Sequence, residues 1–204
     1  MKGLLLKDFY TLIKQMKLFL LMIVVFTLIP GFSMSGFAIV YAAMLPITAL
    51  AYDERSKWAQ LAAMMPYKPV QLVLSKYLLG YIVVAVTLAL TLAAQTLTGF
   101  AKGTPIGGMD VFATCVTAVV ALLIQAFNLP LMFRFGVEKG RMLLLIVVAL
   151  SVMVVMGSGA FLMTALGGLT AVSLRWAALA LAGAAALNLL SIKVAVSMYE
   201  KREN

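Results

Sequence analysis

Long apolar stretches divided by short polar ones set the plan of this chain. A membrane-crossing helix needs about 20 consecutive, mostly apolar residues. Runs of this kind cover residues 18–29, 37–52, 77–100, 111–133, 142–162 and 174–196. They predict an all-α membrane protein with about six transmembrane helices, forming one domain over residues 1–204. The second run is short unless it borrows residues from Ser33 onward. Pro30, Gly31 and Gly36 would let the first two runs form a broken pair or a hairpin. The polar stretch ahead of the first run is long and patterned as a helix, and no Ala-x-Ala site follows directly. The first run is therefore read as a retained span, not a signal peptide.

The polar intervals carry patterns of their own. In residues 1–17, Leu5, Leu6, Phe9, Leu12, Ile13 and Met16 fall on one broad helical face, while Lys7, Asp8, Thr11, Lys14 and Gln15 fall on the other. This predicts an amphipathic helix lying in the membrane interface, either as a simple anchor or as an elbow touching another protein. The interval 53–69 holds helix-forming residues from Ser56 to Met65 that stop at Pro66. Trp58, Leu61, Ala62 and Met65 recur at helical spacing, which gives this short helix an apolar face for the membrane surface or for a partner. The interval 134–141 has Gly136 and Gly140 for tight turning and sets Glu138 among cations. Residues 162–172 are apolar enough to dip back into the membrane around Gly167-Gly168.

Composition excludes several classes. The chain has 204 residues, of which 64% are hydrophobic and 11% charged, with a mean hydropathy of +1.09. Soluble domains carry about 25% charged residues, so the bilayer has to act as solvent for most of this surface. The lone cysteine, Cys115, permits no internal disulfide. The absence of histidine removes histidine metal sites, Ser-His dyads and histidine proton relays. A net charge of +9 reads as membrane topology signal and not as a nucleic-acid surface. Of the 16 lysines and arginines, only Lys102 and Arg175 fall on the second of the two sides that alternate spans define. The richer side is predicted to be cytoplasmic, with both chain ends in the cytoplasm of a plasma-membrane protein.

Four segments resemble the compact ABC-2-type permeases, the membrane subunits of ATP-binding-cassette exporters. They are Leu5-Leu6-Lys7-Asp8-Phe9-Tyr10, the Asp53-Glu54-Arg55 to Trp58 stretch leading to Met65-Pro66, Ser75-Lys76-Tyr77, and Leu129-Pro130 followed by Phe135-Gly136-Val137-Glu138-Lys139-Gly140-Arg141. Size and N-terminal style are similar to permeases that export amphipathic or antimicrobial peptides, including the phenol-soluble-modulin type of Gram-positive bacteria. The resemblance implies a subunit without its own ATPase, dimerising with a second copy or a paralogue. ATP and Mg²⁺ would then sit on a cytoplasmic partner, and no cofactor or metal on this chain. In keeping with this, no Gly-x-x-x-x-Gly-Lys-Ser/Thr phosphate loop is present. The short helix would be the coupling helix, contacting the ATPase through Glu54, Arg55, Trp58, Leu61 and Met65. Gly136, Glu138 and Lys139 would make a second, smaller contact, and Lys7, Asp8, Phe9 and Tyr10 would lie in the elbow helix against membrane lipid. The large extracellular domain of bigger relatives is missing.

Three rivals stand beside this reading. An intramembrane enzyme needs a nucleophile–base pair, facing carboxylates or a metal site within the spans, and every carboxylate here falls at or outside a span end. An ion-driven secondary transporter usually keeps an ionisable group deep in the membrane, and no run core contains one. A non-transporting scaffold or an immunity or sensor protein is the third. The topology is testable by itself. In a Cys115→Ser background, cysteines at Lys102 and Ser173 should react with an impermeant thiol reagent from outside the cell, whereas cysteines at Ser56 and Lys139 should not. The reverse pattern would overturn the orientation.

Overall fold

The computed structural model describes residues 2–15, 17–28, 32–103, 108–137, 139–140, 142 and 174–203. Among them are eight helices and no strand: α1 (Lys2–Gln15), α2 (Lys17–Leu28), α3 (Phe32–Ala43), α4 (Leu45–Arg55), α5 (Trp58–Ala63), α6 (Pro69–Lys102), α7 (Gly108–Phe135) and α8 (Leu174–Glu203). Among the described residues, three stretches are long and apolar enough to cross a membrane: Gly36–Arg55, Pro69–Ala101 and Thr114–Phe135. The pair α1–α2, bent by 76°, passes the same test if taken as one span. Residues 142–162 and the 162–172 segment lie outside the described residues, apart from Met142. So do Pro30 and Gly31.

The helices differ from the apolar runs in instructive ways. The 37–52 run reaches a spanning length because α4 continues through Asp53, Glu54 and Arg55, so these charges end a helix instead of opening a loop. A turn at Met44, with Pro46 in the first turn of α4, divides α3 from α4. Proline is tolerated there because the first-turn N–H groups have no intrahelical acceptor. Helix α6 begins at Pro69, well ahead of Tyr77, and closes on Gly103, which takes the left-handed conformation. The helix expected over 56–65 contracts to Trp58–Ala63.

Small residues let the central helices approach closely, as they do generally in membranes. Ala38, Ala42 and Ala43 on α3 and Ala118 and Ala121 on α7 are buried, interleaved with Ile39 and Val84. Leu12, Ile23, Leu45 and Leu79 bind α1, α2, α4 and α6 into a second core. Helix α8 packs on α7 and α6, with Ala195 buried and Tyr199 edge-on to Phe133 at 5.8 Å.

A polar ladder joins α6, α7 and α8. Pro130 inside α7 has no N–H for the carbonyl of Ala126. Ser191 of α8 donates its hydroxyl to that orphaned carbonyl. With its one proton so used, Ser191 accepts from the Tyr77 hydroxyl at 2.6 Å. One turn away, Tyr81 donates to Asn188 (3.1 Å), and Asn188 donates to the Leu122 carbonyl (3.4 Å). Gln125 completes the ladder by donating to the Tyr77 carbonyl at 3.3 Å. Gly80 makes room for this, since a Cβ there would fall on the Gln125 amide. Gly80→Ala should therefore destabilise the bundle by about 1–3 kcal/mol, the usual range for overpacking, read as a lower midpoint in detergent unfolding. Gly80→Ala with Gln125→Ala should recover part of the loss. Full stability of Gly80→Ala would contradict the packing.

Candidate functional site

The charged end of the bundle gathers four ionised side chains from three helices. Lys7 and Asp8 come from α1, Asp53 from the end of α4 and Lys76 from the second turn of α6. Lys7 Nζ lies 3.0 Å from Asp8 Oδ1 and 2.7 Å from Asp53 Oδ1. Lys76 Nζ lies 2.6 Å from Asp8 Oδ1 and 2.5 Å from Asp53 Oδ2. Each lysine thus bridges both aspartates in a closed ring of alternating charge. The Asp8 and Lys76 side chains are only 2% and 5% exposed, so solvent screens this pair little. Asp8 falls between Leu4 and Leu12 on the buried stripe of α1, not on a solvated face. The apolar face of α1 is what stands exposed, through Leu6, Phe9 and Ile13, with Tyr10 beside them.

The ring reaches α5 through an aromatic contact. Lys7 Nζ sits 4.4 Å from the centroid of the Trp58 ring, a cation–π geometry. Trp58 is half-buried and Ala62 fully so, whereas Leu61, Met64 and Met65 are 51%, 84% and 41% exposed. The single apolar face expected for this helix is therefore split: one side is fastened inward and the other points away from the bundle. Lys57, in the left-handed region at φ 53°, makes the sharp break from α4 that turns α5 this way. Below α5 is a cavity of about 280 Å³ walled by Leu4, Trp58, Ala62, Leu72, Met132 and Phe133, with Lys7, Asp53 and Lys76 in its lining.

Glu54 ties in the other polar segment. Its Oε2 accepts from the Val137 backbone N–H at 2.7 Å. Gly136, at φ 79°, makes the turn that presents this N–H. Gly140 follows close against Met132, where a Cβ would lie 2.8 Å from Cγ. Glu54, Arg55, Gly136 and Lys139 border one groove of about 840 Å³. Arg55 and Lys139 are exposed there. Trp58 lines the smaller cavity, Leu61 and Met65 line neither, and Glu138 lies outside the described residues. Ser75 and Lys76 entered the sequence reading only as a motif and a topology charge. The placement of Lys76 in the ring has one sequence signal, the lone carboxylate Asp8 set between Leu4 and Leu12 at helical spacing. No group of three or more Asp, Glu, Cys or His side chains stands in a metal-binding arrangement among the described residues.

Apolar helices packed around an internal polar ladder, with four ionic groups paired at one end, define a multi-pass α-helical membrane protein. Residues 3–200 match the family model described as ABC-2 family transporter protein. The chain belongs to that family, and is a membrane transport component that does no catalysis itself. No curated protein and no solved structure matches it.

The ring makes a sharp energetic prediction. Removing one partner of a buried pair leaves an uncompensated charge, at a cost of about 3–5 kcal/mol. Lys76→Met alone should lose stability on that scale in chemical denaturation. The double change Asp8→Leu with Lys76→Met should recover most of it, leaving Lys7 and Asp53 paired. Additive losses would show that the two groups do not interact.

Proposed function

We propose that this chain is the permease subunit of an ABC exporter of amphipathic or antimicrobial-type peptides in a bacterial plasma membrane. In this reading it crosses six times, with both ends in the cytoplasm. Two copies, or one copy and a paralogue, form the translocation pathway, and a separate cytoplasmic ATPase subunit binds ATP and Mg²⁺ and drives it. Family membership supports the permease role. The cation asymmetry supports the orientation.

One observation carries the proposal furthest. Helix α5 and the turn after it present Leu61, Met64 and Met65 outward while Trp58 and Ala62 hold the other side to the bundle. A helix free on one face and fastened on the other suits transmission of force. A push from an ATPase on α5 would pass through Trp58 to Lys7 and the charge ring, and so to α6, which runs 34 residues. A parallel route would run from Glu54 to Val137 and α7. The groove bordered by Arg55 and Lys139 would receive a second, charged contact from the same partner.

The two faces of α5 should fail differently. Leu61→Asp puts a charge on the docking face. With the ATPase co-expressed, it should reduce co-purification at least about tenfold and abolish export, while membrane insertion stays normal. Trp58→Ala cuts the internal fastening, so it should keep much of the association yet uncouple ATP hydrolysis from export. If Leu61→Asp kept normal pull-down and export, α5 would be an interfacial anchor only. A protein that binds the ATPase but changes no secreted or retained peptide would fit the sensor or scaffold reading.

A further inference from the structure

Between α2, α3, α4 and α7 lies a crevice of about 540 Å³ that includes none of the charge-ring residues; it shares Phe19 and Thr48 with the groove at Glu54 and Met132 with the cavity under α5. Its walls are largely apolar and aromatic: Phe19, Phe26, Phe37, Tyr41, Met44 and Met132 all contribute. Asn128 is part of the wall, and it is 2% exposed. Among the described residues, neither its Oδ1 nor its Nδ2 has a hydrogen-bond partner. Thr48, also in the wall, donates its hydroxyl to the Met44 carbonyl of its own turn. An amide with nothing bonded to either end is costly inside a membrane, where no bulk water compensates. The neighbouring amides are bonded through at least one end. Asn188 uses both of its ends, Gln95 pairs with Thr114, and Gln125 donates to a carbonyl while its Oε1 is without a partner among the described residues. A leucine would fill the Asn128 position at no such cost, so the amide calls for an occupant that the described residues do not provide.

We infer that this crevice binds an extended segment of peptide main chain and that the Asn128 side chain recognises it. The chemistry of the amide selects the ligand. It offers one acceptor and a pair of donor hydrogens side by side. The carboxyl esters and phosphodiesters of lipids bring acceptors alone and leave Oδ1 unmet. An ammonium group brings donors alone. A hydroxyl brings both on a single atom and cannot meet Oδ1 and Nδ2 in parallel. In an extended peptide the N–H and C=O of one residue point to the same side, which matches the primary amide edge. A helical segment has these groups already engaged with its own backbone. The methionine and aromatic walls adapt to varied apolar side chains, as promiscuous binding surfaces do. This assignment rests on the peptide-export reading and deepens it: the cargo docks unwound at this point, and its backbone is read in preference to its sequence.

The test uses the full chain in nanodiscs and two photoreactive probes. One is N-lauroyl-leucine methylamide with a diazirine in the acyl chain. The other is its ester isostere, in which oxygen replaces the leucine N–H. The amide probe should label the crevice residues about tenfold more than the ester, the difference expected of one or two well-made hydrogen bonds. In Asn128→Leu the two probes should label equally, with thermal stability equal to or above that of the unsubstituted protein. Equal labelling of the unsubstituted protein, stronger labelling by the ester, or an amide preference that survives Asn128→Leu would each overturn the inference. In cells, Asn128→Leu should reduce peptide secretion, and secretion at the original level would overturn the site as a cargo contact. If secreted peptides are the same with and without the gene while the amide preference is present in nanodiscs, the peptide-export reading falls and the binding site stands.

Discussion

Two charges withdrawn from water, Asp8 and Lys76, have to be neutralised by each other and by the half-buried Lys7 and Asp53, and the charged end of this protein is arranged around that requirement. Lys76 sits in the second turn of a helix that continues across the membrane, in a position where a lone ammonium would be untenable. Asp8 and Asp53 neutralise it, and Lys7 balances the second carboxylate. The geometry fixes more than the ions. It sets the depth of α1, joins the end of α4 to the start of α6, and holds Trp58 under Lys7 so that α5 cannot turn freely. Buried ionic groups often add little net stability compared with apolar packing. What they impose here is register among elements that are far apart in the chain.

The same rule governs the interior by a different means. Pro130 removes a backbone donor from α7, and α8 supplies the missing bond through Ser191. A defect in one helix thereby becomes a point of recognition for another. Tyr77, Tyr81, Gln125 and Asn188 extend that point into a ladder. Interhelical hydrogen bonds of this kind are individually modest in membranes, at about 1 kcal/mol, so the ladder acts mainly to fix rotation and register of α6, α7 and α8.

Much of the helical plan was legible from apolar runs, and the departures all concern polar residues. Residues 77–100 and 111–133 sit inside α6 and α7, as hydropathy alone requires. Hydropathy also placed Ser75 and Lys76 ahead of the helix, because it scores a lysine as solvated and has no term for an aspartate 68 residues away. For the same reason Asp8 fell on the polar side of α1, and Asp53 to Arg55 fell in a loop. Trp58 shared an apolar stripe with Leu61 and Met65 on the wheel. The left-handed Lys57 and the Lys7 ammonium turned it inward, and a single-helix pattern contains neither fact. Asn128 carried no signal that set it apart from Gln95, Gln125 or Asn188, because lacking a partner is a property of the packed bundle.

The reach of the charge ring has a consequence for biogenesis. A ribosome delivers α1 first, and Asp8 meets its buried lysine only after residue 76 has emerged and α6 has begun to insert. Until then α1 has no seat, and Leu6, Phe9 and Ile13 give it a place to wait on the lipid surface. Its docking is therefore a late step that reports on the insertion of α4 and α6 together. A nascent chain with a mis-inserted hairpin would leave Asp8 and Lys7 without their partners Lys76 and Asp53.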